Sequence, residues 1–86
     1  MRFDVLVEVK LRPGIADPQA ATIERSLPAL GFGGVSQVAV GKAIRFVVDA
    51  LDEGAARGRV DQLSRQFLAN PVIEDVDVTL DPSSLP

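Results

Sequence analysis

The chain has 86 residues, a formal charge of −3 and neither cysteine nor histidine. That is the length of one domain, and the composition excludes disulfides, thiolate nucleophiles, zinc–thiolate sites and any mechanism that needs an imidazole base. The acidic balance disfavours a nucleic-acid backbone as ligand. Phe3, Phe32, Phe46 and Phe67 are the only aromatics and are expected in the core, which leaves no platform for stacked bases. A domain this small buries only roughly 60% of its unfolded surface, so association with other chains would help it. No basic segment with an apolar run precedes the first element, and no apolar run approaches the ~18 residues of a membrane span. A soluble, cytoplasmic protein is expected.

Arg2–Leu11 alternates. Phe3, Val5, Val7, Val9 and Leu11 are apolar, and Arg2, Asp4, Glu8 and Lys10 fill the other side, with Leu6 as the exception. A period of two predicts a strand with one buried face, and no other stretch alternates for so long. This strand is therefore placed at the centre of a sheet. Arg12-Pro13-Gly14 reads as a loop. Asp17-Pro18 opens a helix, with the aspartate as N-cap and proline at the first helical position. Ala20, Ile23, Leu27 and Leu30 form its apolar stripe. Pro28 removes a backbone bond to Glu24 and is expected to kink or tighten the last turn. Gly31 suits a left-handed C-cap.

Val35–Val40 reads as a short strand and Ile44–Val48 as the next. A three-residue loop, Gly41-Lys42-Ala43, would pair Val38 with Phe46 and Val40 with Ile44, keeping the apolar set on one face. Asp52 is expected to cap a second helix whose stripe is Ala56, Val60, Leu63 and Phe67. Burial of Val60, Leu63 and Phe67 would contribute roughly 1.5–3 kcal/mol each. Arg57, Asp61 and Arg65 are spaced for weak surface ion pairs. Asn70-Pro71 ends the helix, Val72–Leu80 is the last strand, and Asp81–Pro86 is expected to be a disordered tail. One domain over residues 1–80 follows.

The order β-α-β-β-α-β is that of a split β-α-β, ferredoxin-like plait: an α+β fold with an antiparallel sheet and two helices on one face. Its other face would carry Leu6 and Val47, with Ala39 as a further candidate. Such a patch predicts a partner. Arg12 and Lys42 are candidates for touching a partner's acidic surface.

No constellation for chemistry emerges. The serines have no histidine beside them, and nothing local supports a serine–lysine pair with Lys10 or Lys42. Glu74, Asp75 and Asp77 would need to converge to hold a metal, whereas on a strand Glu74 points away from the other two; a solvated, aggregation-resistant face is the simpler reading. Gly31-Phe32-Gly33-Gly34 follows a helix, the reverse of a phosphate-binding loop. Before the first helix, Asp17 would compete with a bound anion.

Specific runs carry more than these periods do. Val5–Gln19 (VLVEVKLRPGIADPQ), Leu30-Gly31-Phe32, Val38–Lys42 (VAVGK) and Leu68–Val76 (LANPVIEDV) occur here in this order and cover nearly the whole chain apart from the tail. Together they resemble the PurS family, the small subunits of phosphoribosylformylglycinamidine (FGAM) synthase. Pro28, where the family carries ordinary helix formers, and Pro71, in place of a more common threonine, are departures in local geometry. The resemblance implies a ligase subunit without catalytic residues of its own. In that family a glutaminase, PurQ, releases ammonia and a synthetase, PurL, activates the amide of formylglycinamide ribonucleotide with ATP and magnesium. PurS, a homodimer or larger homo-oligomer, brings them together and supports ammonia transfer. No cofactor, metal, nucleic acid or membrane is expected on this chain. The alternative is a small-molecule-sensing plait that dimerises and binds amino acids at its loops.

Overall fold

A computed structural model describes residues 1–83. The element order is β1 (Arg2–Leu11), α1 (Pro18–Ser26), a 3₁₀ turn (Pro28–Leu30), β2 (Gly41–Asp49), α2 (Glu53–Leu63), a π turn (Ser64–Leu68) and β3 (Glu74–Pro82). The alternation of β1 makes it the middle strand, and β2 and β3 flank it, both antiparallel. Phe3, Val5, Val7 and Val9 are buried on its inner face, where Ala56 and Val60 of α2 and Leu80 of β3 close the core. Ile44, Phe46 and Val48 of β2 pack against that core but stay partly exposed.

Both helices start as the sequence dictates. Asp17 accepts from the Ala20 amide at 3.1 Å, and Asp52 accepts from the Ala55 amide at 2.8 Å, so each carboxylate satisfies an amide that the first turn leaves open. Pro28 splits the first helix into α1 and the 3₁₀ turn, because it can offer no amide to Glu24. Gly31 then stops it at φ 94°, with its own amide on the Pro28 carbonyl and the Phe32 amide on the Leu27 carbonyl.

Four expectations change. Val35–Val40 forms no strand: it runs outside the sheet, with Gln37 at φ 57°. Its Val38 and Val40 amides lie 3.4 Å and 3.3 Å from the carboxylates of Glu24 and Asp17. The expected Gly41-Lys42-Ala43 loop is instead ladder. Gly41, Lys42 and Ala43 pair with Lys10, Val9 and Glu8, because the long β1 offers a partner to each of them and no residue is left over to turn. Gly41 is required there: a Cβ would stand 2.7 Å from the Val9 carbonyl oxygen.

In α2 the buried stripe is Ala56, Val60 and Ser64, with Leu68 next. Leu63 is 39% and Phe67 81% exposed. Steps of four residues drift around an α-helix of 3.6 residues per turn, and the wider π turn absorbs that drift. Arg57 pairs with Glu53 at 3.9 Å, and no pair with Asp61 forms among the described residues. Finally, the last strand is shifted from Val72–Leu80 to Glu74–Pro82. Asp81 and Pro82, expected in the tail, pair with Asp4 and Phe3. Residues 84–86 of that tail lie outside the described residues.

The molecule is long. Its extents are 52 × 29 × 15 Å and its radius of gyration is 16.7 Å, against about 12 Å for a compact chain of this length. The excess is an arm made of α1, the 3₁₀ turn and residues 31–40. The arm carries the stripe expected to seal the core, yet Ile23 is 44% and Leu30 69% exposed, and Phe32 and Val35 are exposed with them.

Candidate interaction surfaces

The four residues singled out in the sequence divide between two ends of the sheet. Leu6 and Val47 stand on the outer face, diagonal to each other: Leu6 is opposite Arg45, and Val47 is opposite Asp4. Leu6 is half-buried and Val47 is exposed. They line a shallow hollow of about 470 Å³ with Asp4, Arg45, Thr79 and Asp81. Ala39 lies in the arm, away from them, because its segment does not join the sheet.

Arg12 follows β1 and is engaged within the chain. Its Nη2 donates to the Pro71 carbonyl at 2.6 Å, its Nε lies 3.4 Å from the Glu74 carbonyl and 3.4 Å from Asp75 Oδ1, and its amide donates to the Ile73 carbonyl at 2.8 Å. Lys42 sits opposite Val9, on the helix side of the sheet, and lines a second hollow with Gly41, Asp17 and Gln19.

The acidic run on β3 is dispersed rather than convergent. Glu74 accepts from the Asn70 amide at 2.7 Å, Asp75 faces Arg12, and Asp77 takes the Lys10 ammonium at 3.1 Å. The hydrogen bond and charge of Asp77 raise the Lys10 pKa above its ordinary value. Among the described residues no group of three acidic, histidine or cysteine side chains could hold a metal ion, and no helix is long and apolar enough to cross a membrane.

The surfaces that sequence periodicity did not reveal are apolar. Ile23, Leu30 and Phe32 were readable as apolar but expected inside, and Val35, read as the start of a strand, is exposed beside them. Ser64, a polar residue, is 2% exposed, and its hydroxyl has no hydrogen-bond partner. Its spacing of four from Val60 was the available signal.

The chain is of the class of small, open-faced α+β plaits that leave apolar surface uncovered for contact with other chains. Comparison with known proteins gives the class its family. Residues 4–82 match the family PurS: Phosphoribosylformylglycinamidine (FGAM) synthase, and the chain belongs to that family. It is 42% identical over 69 residues to the PurS subunit of Synechocystis sp., covering 80% of this chain and 69% of that one. It is 32% identical over 79 residues to the Methanocaldococcus jannaschii subunit, covering 92% and 95%. Among solved structures it is similar to a chain of PurLQS from Thermotoga maritima, with a TM-score of 0.86, 30% identity, and coverage of 94% of this chain and 99% of that one. It is also similar to M. jannaschii PurS, described as one of the subunits of formylglycinamide ribonucleotide amidotransferase in the purine biosynthetic pathway, with a TM-score of 0.84 and 31% identity. These matches bear out the α+β plait and the ligase-subunit reading.

Proposed function

We propose that this chain is the cytoplasmic assembly subunit of an FGAM synthase, holding a PurQ glutaminase against a PurL synthetase so that ammonia passes from one to the other. ATP and magnesium act on the PurL partner. The observation that carries this reading is the near end-to-end match to a chain taken from a PurLQS complex. The residue chemistry agrees: there is no imidazole or thiol for covalent or acid–base work, and there is much uncovered surface.

The chain acts as a homodimer or larger homo-oligomer, because its two unmet surfaces fit each other. The arm offers an apolar stripe, and the inner face beside β2 leaves Ile44, Phe46 and Val48 partly exposed. In a second copy, the arm would lay Val38 and Val40 along the open β2 edge and its helix over that face. The pairing expected within one chain is then made between two.

Reconstitution tests the assembly role. Glutamine-dependent FGAM formation should appear only when this chain is added to PurL and PurQ together, while ammonia-dependent formation by PurL alone should not need it. Full glutamine-dependent activity without the chain would refute the role.

A further inference from the structure

We propose that the outer face of the sheet docks a basic surface of a partner protein, one that sets lysine or arginine side chains around an apolar residue. This deepens the assembly reading above and rests on it. The observation is a pair of like-charge contacts in register. Across the β1–β3 ladder Asp4 lies directly opposite Asp81, and Glu8 directly opposite Asp77. Like charges facing each other in an antiparallel pair oppose the sheet, so the stability of the isolated chain gives no reason to have them. The cations nearby answer only part: Lys10 reaches Asp77. Among the described residues no ion pair takes up Asp4, Glu8 or Asp81.

The hollow bordered by Asp4 and Asp81 is apolar at its floor. Leu6 and Val47 form it, and Val47 is 44% exposed. An apolar centre with a charged rim is the anatomy of a protein interface; Asp4 and Asp81 outnumber Arg45 on this rim, and a rim of net negative charge favours a basic partner. A second copy of this chain fits poorly. Its net charge is also negative, and its uncovered apolar area lies on the arm and the inner face. The occupant is therefore a different chain with a basic patch.

The test uses Asp81→Lys, with Asp81→Asn as the milder variant, in the full chain mixed with PurL and PurQ. Affinity is read by isothermal titration at two salt concentrations, and folding by thermal melting. The expected result is a loss of affinity of about tenfold or more for the lysine variant, a smaller loss for asparagine, and a weaker salt dependence in both, because an attractive exposed charge has been removed. The melting temperature should hold or rise, because the repulsion with Asp4 is relieved. A merely structural aspartate would lower the melting temperature instead. Unchanged affinity and salt slope, with the natural chain still binding, would overturn the docking surface and leave the assembly role standing. A natural chain that binds neither partner would overturn both. A variant that loses self-association, with partner binding intact, would make this face a contact between copies and overturn the proposal.

Discussion

Arg12 shows how much one side chain can organise where no regular structure does. The segment from Asn70 to Ile73 has neither helix nor ladder to hold it. It is held by an Asx turn, in which the Val72 amide donates to Asn70 Oδ1 at 3.0 Å, and by the Arg12 fork across it. Two carbonyls accept from a single guanidinium, which also forms an ion pair with the Asp75 carboxylate. This geometry suits arginine's planar donors and not the compact ammonium of lysine. Replacing Arg12 with alanine should cost about 1–2 kcal/mol, since charged hydrogen bonds contribute more than neutral ones and this one is half-exposed. The melting temperature should fall by about 5–10 °C, with faster amide exchange confined to residues 70–74. Arg12→Lys should recover little of the loss. A variant that melts with the natural chain would show that the fork is incidental.

At the scale of elements, β1 and α2 show what could and could not be read. The two faces of β1 were legible residue by residue, since alternation fixes which side chain points where. In α2 the cap and existence were legible, but the buried side was not. Hydrophobicity favours Leu63 and Phe67, whereas the helix turns Ser64 inward because it lies four residues from Val60 and eight from Ala56. Only the course of the helix axis over the sheet decides between those stripes, and a period does not encode it. The buried serine leaves a mark that can be measured. Its hydroxyl has no partner, and an unsatisfied buried hydroxyl costs about 1–3 kcal/mol. Ser64→Ala should therefore stabilise the chain by about 1–2 kcal/mol in denaturant melts. A loss of stability would mean that the hydroxyl is bonded, most simply to the carbonyl one turn back.

For the whole molecule, the sequence is silent about whose surface an apolar stripe covers. The spacing of Ala20, Ile23, Leu27 and Leu30 specifies a face that must be buried, and the same residues serve equally well within a chain or between two. Gly41 is the pivot of that choice. As a turn residue it would fold the arm back; as the first residue of β2, pressed against the Val9 carbonyl, it leaves the arm extended. A 16.7 Å radius of gyration with four large exposed apolar side chains on the arm, Ile23, Leu30, Phe32 and Val35, is poor use of a chain that can bury so little by itself. A second copy resolves this, and mass action then requires that the melting temperature rise with protein concentration. Ile23→Asp separates the cases. In a lone chain the position is exposed, so the change should stay within about 0.5 kcal/mol. Under an arm shared between copies, it places a carboxylate in an apolar contact. The solution mass should then fall toward one chain, and the concentration dependence of melting should vanish. A natural chain that scatters as a single copy with a radius near 12 Å would mean that the arm closes on its own sheet.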